Sequence, residues 1–392
     1  MLNIIRRCNN IKITKKGKYN DQIDHTLIKK KSINIICIKK TTMEFVKKCN
    51  HEETLKKIEL DLEIFKSIKS KNQINYNSPT CQKYDKETID KRHNVLISYK
   101  NQLARLKKLP LIKQRTIEWL EARKSRLTAS DLEDALKQNN LTLAKKKAGI
   151  TKDVTNYTTI PPLKWGTMFE DMACRVYSES LNNIHVSEFG LVIDEKHEHF
   201  GASPDGINDM GIMIEIKCPF SRTIKDGYVP SKYYMQIQGQ LAVCSLNECD
   251  YVECKFIDYE SIYKYLDDLE SNYNNMKTKH GIIAEYRNLN SGEYFYIYSD
   301  SHLSASDTID NINKKVLDYD KENEKNKENQ FIKLTPWRLE NMNIQRVYFD
   351  EKSWKDTLPK ITAFWDKVEE CKKLPIEEVK TKSKIKFIPD ND

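Results

Sequence analysis

Two short segments hold the side chains that could do chemistry together: Ser203-Pro204-Asp205-Gly206, and then Glu215-Ile216-Lys217-Cys218-Pro219. Pro-Asp-Gly alone is a turn signature, and Glu-Ile-Lys alone is a piece of alternating strand. Together they set an acid at a turn beside a strand whose Glu215 and Lys217, two residues apart, share one face. Met213 lies on that face nearer the strand's start, while Ile212, Ile214 and Ile216 point the other way, into a core. Two convergent carboxylates, with the Ile216 carbonyl as a further oxygen, make a hard site suited to Mg²⁺ or Mn²⁺. A charged Lys217 cannot ligate a cation; it is placed to hold or polarise an attacking water and to offset charge on a phosphate. A structural Asp/Glu/Lys cluster is the other reading these residues leave open.

The Asp-x9-Glu-x-Lys arrangement resembles the PD-(D/E)XK nuclease signature, and "SPDG…EIKCPF" resembles its lambda-exonuclease/YqaJ branch, which includes proteins of large DNA viruses. Three more segments resemble that branch in the same order: Trp119-Leu-Glu-Ala-Arg123 with Thr128-Ala129-Ser130, Trp165-Gly166-Thr-Met-Phe169-Glu170, and Tyr234-Met235-Gln236-Ile237-Gln238. The likeness spans Arg115 to Cys244, about a third of the chain. It implies that Asp205, Glu215 and the Ile216 carbonyl bind metal, two ions in all. Glu170 would complete the site, and Lys217 and Gln236 would orient the nucleophilic water. It also implies that Arg123, Ser130 and Ser203 receive a 5′-phosphate, for which a guanidinium fork and two hydroxyls are chemically apt. Outside the motif, Arg123 reads as a surface ion pair with an acid such as Glu118. The sequence departs from the pattern at Lys124-Ser125, where family members often carry Gly after the motif's Arg.

The activity so implied is a Mg²⁺-dependent 5′-to-3′ exonuclease acting on double-stranded DNA ends. It would release 5′-mononucleotides and leave 3′ single strands for recombination or repair. A single-strand annealing protein as partner and a homo-oligomeric ring belong to the same resemblance. The alternatives are a DNA endonuclease on the same fold and a non-catalytic DNA-binding remnant. An iron–sulfur nuclease is disfavoured: the ten cysteines are scattered, without CxxC or Cys/His spacing, and read as reduced thiols of an intracellular protein. Cys249 and Cys254 are close in sequence but flank a strand, which favours buried thiols over a metal pair. No GxxxxGK[ST] sequence occurs, so ATP is not expected.

Charge is unevenly placed. The first 100 residues hold 23 Lys/Arg against 11 Asp/Glu, a net +12, so the other 292 sum to −3 of the total +9. A basic arm suits a polyanion such as DNA, although a solubilising Lys/Asn-rich tail has the same composition. Met1 to Asn20 contains no acid, weakly like a transit peptide, but lacks Ser and Arg enrichment. No uncharged apolar run of about 18 residues occurs, so a membrane-spanning helix is not expected and a soluble protein is.

Positioning these residues calls for an α/β fold with a restriction-endonuclease-like core: a central mixed β-sheet flanked by helices, a helical basic N-terminal extension and a C-terminal helix. The expected divisions are a basic arm over 1–42, a helical extension over 43–110 and a nuclease core over 111–300. An insertion and packing helix over 301–374 and a charged tail over 375–392 follow. Helical spacing predicts helices over Met43–Ser70, His93–Leu109, Asp131–Gln138 (with Thr128 or Ser130 as N-cap), Trp165–Leu181 and Tyr233–Cys244. Strand patterns cover Val186–Ile193, Gly211–Cys218, Tyr251–Ile257, Ile282–Tyr286 and Tyr294–Tyr298. The polar stretch Asp300–Gln330 reads as a solvated helix or insertion. Trp354, Leu358, Ile361, Trp365 and Val368 form the stripe of a final packing helix.

Overall fold

Along Glu248–Asp258 almost every side chain is buried, which a strand achieves only when both faces of its sheet are covered. The chain is seen here in a computed structural model that describes residues 51–151, 160–271, 279–323 and 328–376. The expected basic arm, the helical pattern from Met43 to residue 50, and the charged tail from residue 377 lie outside the described residues.

The helices are α1 (His51–Ser70), α2 (Lys86–Leu106), α3 (Ile117–Lys124), α4 (Leu132–Leu136), α5 (Leu141–Lys147), α6 (Pro161–Ser180), α7 (Ser231–Cys244), α8 (Ile262–Ser271), α9 (Ala305–Asn323) and α10 (Glu351–Lys372). The strands are β1 (Leu127–Thr128), β2 (Val186–Ser187), β3 (Val192–Ile193), β4 (Phe200–Ala202), β5 (Gly206–Asn208), β6 (Met213–Lys217), β7 (Glu248–Asp258), β8 (His280–Asn288), β9 (Tyr294–Tyr298) and β10 (Asn329–Tyr348). Seven of them form one sheet in the order β2-β5-β6-β7-β10-β8-β9, and β1-β4-β3 form a second. Within the large sheet β6 and β7 run parallel and the other pairs antiparallel. This is the mixed α/β sheet with flanking helices that the motifs require.

Helices cover both faces of the sheet. Met213 and Tyr251 join the core under α7 and α10 with Ile237, Leu241, Ile361, Phe364 and Val368. Ile212, Ile214 and Ile216 join the opposite core with Ile58 and Ile64 of α1, Leu96 of α2 and Trp165, Met168 and Phe169 of α6. The face shared by Met213, Glu215 and Lys217 is therefore buried under helices and not merely polar. A third cluster, Tyr265, Ile282, Ala284, Tyr286, Ile312 and Val316, packs α8 and α9 on β8.

Several sequence expectations shift. Val186–Ile193 is not one strand: β2 and β3 belong to different sheets. Helix α6 begins four residues before Trp165, because Pro161 and Pro162 fit a first helical turn whose N–H groups need no partner. Neither Thr128 nor Ser130 caps α4; a short 3-10 turn, Ala129–Asp131, precedes it, and no side-chain cap bond forms. Strand β10 escaped prediction altogether. Its first half pairs with β8 and its second with β7, with irregularities at Phe331/Lys333 and Leu339/Asn341. Those breaks, and Pro336 within it, destroy the two-residue alternation by which a strand is recognised.

A buried ionic network fastens α1 and α2 to the sheet. Arg92 of α2 reaches Asp61 of α1 at 2.6 and 2.8 Å and also grips Glu248 of β7. Arg346 of β10 donates to Asp250 at 2.5 Å, Glu248 at 2.7 Å and Asp61 at 3.0 Å. Tyr99 adds a bond to Glu248 at 3.0 Å, and Tyr177 one to Asp250 at 2.7 Å. With charges and donors paired in this way the desolvation of each ion is offset, whereas removing one member would strand another.

Candidate active site

Asp205 sits in the turn joining β4 to β5, and its Oδ2 accepts the backbone N–H of Ile216 at 2.7 Å. That bond lays the turn carboxylate along β6, next to Glu215. Glu215 is fully buried. Its Oε1 accepts from Lys217 Nζ and from Gln236 Nε2 at 2.7 Å, and its Oε2 accepts from Gln240 Nε2 at 2.7 Å. Gln236 and Gln240 stand one turn apart on α7, so both reach the same carboxylate. Gln238 points elsewhere, donating to the carbonyl of Tyr348 at 3.0 Å and accepting the N–H of Asp350 at 2.8 Å.

Glu170 extends from α6, where it pairs with Arg115 Nη2 at 2.8 Å. Arg115 holds a left-handed backbone, φ 65°, a conformation that costs a non-glycine residue free energy and recurs at functional sites. Burial, and then the negative charge of Glu215, push the Asp205 carboxyl well above the usual range against the pull of Lys217. Burial likewise raises Glu170, opposed by Arg115 and Lys217. For Lys217 burial works against the charged form, but Glu215 and Asp205 outweigh it and raise the ammonium's pKa. Lys217 is thus held toward its charged, donating form by the two carboxylates.

Asp205 and Glu170, raised by burial and by neighbouring carboxylates, mark a site short of positive charge. Oxygen donors in that state fit a hard divalent cation. Among the described residues no three acidic, His or Cys side chains are gathered into a finished ligand set; Glu215 is engaged by Lys217 and the two glutamines, and Glu170 by Arg115.

Beside the carboxylates the chain assembles a second constellation. Arg123 of α3 donates from Nη2 to Ser130 Oγ at 3.0 Å, and its guanidinium lies over the Trp119 ring, 4.3 Å from the centroid. Trp119 in turn donates its indole N–H to Ser203 Oγ at 3.0 Å. Arg123, Ser130 and Ser203, separated by up to 80 positions in the chain, are therefore brought together through Trp119. Thr128 Oγ1 lies 3.0 Å from Ser130 Oγ and donates to Asp131 at 2.8 Å. Lys147, nearly buried, bonds the Arg123 carbonyl at 3.1 Å and Asp131 at 2.7 Å. Burial lowers the pKa of Arg123, opposed by Asp131, Asp205 and Glu215 at longer range. A guanidinium still charged, drawn partly out of water and joined by two hydroxyls, has the chemistry to bind an anion. Gln240 links the two constellations, since its Nε2 also lies 3.4 Å from the Ser203 carbonyl.

The nine expected site residues thus lie in two adjoining clusters: Asp205, Glu215, Ile216, Lys217, Gln236 and Glu170 in one, and Arg123, Ser130 and Ser203 in the other. Arg115, Gln240 and Lys147 were not anticipated. Gln240 was readable in principle from its i+4 spacing to Gln236; Arg115 and Lys147 carry no comparable signal. Cys249 and Cys254 are buried free thiols.

The family model of the YqaJ-like viral recombinase domain matches residues 118–247. That matched segment is similar to the YqaJ-like domain. It contains every expected site residue, whereas Arg115 precedes it. The uncharacterized protein R354 of Acanthamoeba polyphaga mimivirus is 27% identical over 344 residues, 78% of this chain. The chain spans 61% of that relative's length. Two structures of the alkaline exonuclease LHK-Exo of Laribacter hongkongensis, one in complex with dAMP, are 21% and 22% identical; each comparison covers 65% of this chain and 93% of the other, with a TM-score of 0.38.

Proposed function

We propose that this protein is a Mg²⁺-dependent 5′-to-3′ exonuclease acting on double-stranded DNA ends, releasing 5′-mononucleotides and leaving a 3′ single strand. The observation that carries the proposal is the joining of Arg123, Ser130 and Ser203 through Trp119 into one cluster, coupled by Gln240 to the Glu215 carboxylate. A receptor for a terminal phosphate next to a phosphate-cleaving site measures one nucleotide from a 5′ end. An enzyme cutting internally has no use for such a gauge.

Asp205, Glu215, Glu170 and the Ile216 carbonyl would hold Mg²⁺ or Mn²⁺, two ions in this proposal, whose charge makes water nucleophilic and offsets charge on the cleaved phosphate. The chain's own groups do the rest. Arg123, Ser130 and Ser203 fix the 5′-phosphate. Lys217, kept protonated by Glu215 and Asp205, stays a donor toward the attacking water and the phosphate oxygens. Gln236 donates alongside it, and Gln240 keeps Glu215 in register with the phosphate receptor. Recombination or end repair, a homo-oligomeric ring giving processivity without ATP, and an annealing protein receiving the 3′ strand complete the proposal.

The test is digestion, in Mg²⁺, of a linear duplex with 5′-phosphate ends, the same duplex with 5′-hydroxyl ends, and a closed circle. The proposal expects rapid loss of the first, slow loss of the second and an intact circle. Cutting of the circle would overturn it in favour of an endonuclease, and inertness on all three in favour of a non-catalytic DNA-binding remnant.

A further inference from the structure

Arg115 precedes α3 at φ 65°, a left-handed conformation that glycine takes freely and that costs an arginine free energy. Its neighbours fix that conformation. On one side Gln114 donates to the carbonyls of Phe189 at 2.7 Å and Pro204 at 3.0 Å, which ties the segment to the turn carrying Asp205. On the other side Thr116 caps α3, accepting the N–H of Trp119 at 3.2 Å. The bend between these two anchors sends the Arg115 side chain to α6, where its Nη2 lies 2.8 Å from Glu170 Oε1. Both side chains keep contact with solvent, Arg115 with 49% and Glu170 with 32% of its surface exposed. Burial works against the charge on Arg115, but Glu170 and then Asp171, Tyr298 and Asp205 outweigh it and raise the pKa. Glu170 and Lys217 face a cavity of about 510 Å³, whereas Arg115 approaches Glu170 from the side of Asp171 and Tyr298.

A fixed positive charge therefore stands on a carboxylate that the proposed metal site needs. A guanidinium and a divalent ion on one carboxylate repel each other, and whatever part of the Glu170 charge Arg115 neutralises is attraction withheld from the ion. A partly exposed ion pair of this kind is weak enough for an ion of twice the charge to break, while the anchored backbone beneath it stays put. We infer that Arg115 is a stand-in cation at Glu170: in the metal-free protein its guanidinium holds this carboxylate, and a divalent ion takes Glu170 only by displacing it. Arg115 is then a positioning residue that acts through Glu170 and sets the free metal concentration at which the site fills. The inference rests on the metal-dependent reading proposed above.

The full chain, stripped of metal by a chelator and kept free of DNA, is titrated with Mn²⁺ by isothermal titration calorimetry. Arg115→Gly, whose backbone adopts φ 65° without strain, is expected to bind Mn²⁺ about 3- to 30-fold more tightly than the native protein, the range between an exposed ion pair and a hydrogen bond to a charged group. Arg115→Gln, which removes the charge and keeps most of the side chain, should show the same gain, and it decides the matter if the glycine variant does not fold. Arg115→Lys keeps a cation there and should stay near native affinity. In a Glu170→Gln background the gain from Arg115→Gly should fall below about 2-fold, because no carboxylate is left for the guanidinium to withhold. Unchanged Mn²⁺ affinity in folded Arg115→Gly and Arg115→Gln gives the ion pair a structural role alone and overturns the inference. An equal gain in both backgrounds also overturns it, since Arg115 would then act through the general field of the site. Absence of Mn²⁺ binding by the native protein and every variant refutes the metal-dependent reading instead, and leaves Arg115 no ion to stand in for.

Discussion

Replacing Arg123 by Ala should erase discrimination between 5′-phosphate and 5′-hydroxyl ends. The guanidinium contacts Ser130 and the Trp119 ring, and its burial leaves its charge incompletely compensated until an anion arrives. Charge-assisted hydrogen bonds of this kind contribute about 1.5–3 kcal/mol, which corresponds to roughly 10- to 150-fold in kcat/KM. That loss should fall on phosphorylated ends alone, because a hydroxyl end offers the guanidinium no charge. Arg123→Lys should recover only part of it, since a point charge lacks the planar fork and the stack on Trp119. The assay is release of the first nucleotide from end-labelled duplexes under single-turnover conditions, run with both ends on native and variant protein. Equal losses on the two ends would refute the reasoning, because the arginine would then be supporting structure and not reading the phosphate.

Lys217→Ala should lower the cleavage rate more than about 100-fold while leaving DNA binding, followed by anisotropy, largely intact; full turnover would remove Lys217 from the chemistry. Gln240→Ala takes a donor from Glu215 and loosens it from Ser203, so half-saturation by Mg²⁺ should rise about 10- to 100-fold, and an unchanged titration would show the link to be idle. Acid should weaken the anchoring of α1 and α2. Burial disfavours the charge on Glu248, but Arg92 and Arg346 overcome it and hold the carboxyl down at about 2, against an ordinary 4.5. Its contribution of about 3 kcal/mol is complete above pH 4.5 and disappears between 4.5 and 2. Denaturant unfolding across that window should follow the loss, and Glu248→Gln should flatten it.

How much of this was legible depended on how local each signal is. Asp205, Glu215 and Lys217 could be read because a turn and a five-residue strand place them with few other elements. Strand β10 could not, because its irregular pairing with β7 and β8 is set by neighbours far away in the chain. Nor could the burial of the Glu215 face, which depends on α7 and α10 closing over the sheet. Trp119 stood in a motif, but it joins Arg123 to Ser203 only when α3 reaches the β4–β5 turn.

The sequence by itself determined which groups are present and how each short element presents them: the acid at the turn, the Glu and Lys on one strand face, Gln236 on a helix. These follow from backbone periodicity, which needs no partner. Only the tertiary structure decided that Gln240 bridges Glu215 to Ser203, that Arg115 faces Glu170, and that a cavity opens beyond Lys217. Contacts between residues tens of positions apart depend on how helices and sheet pack, and no local spacing encodes that.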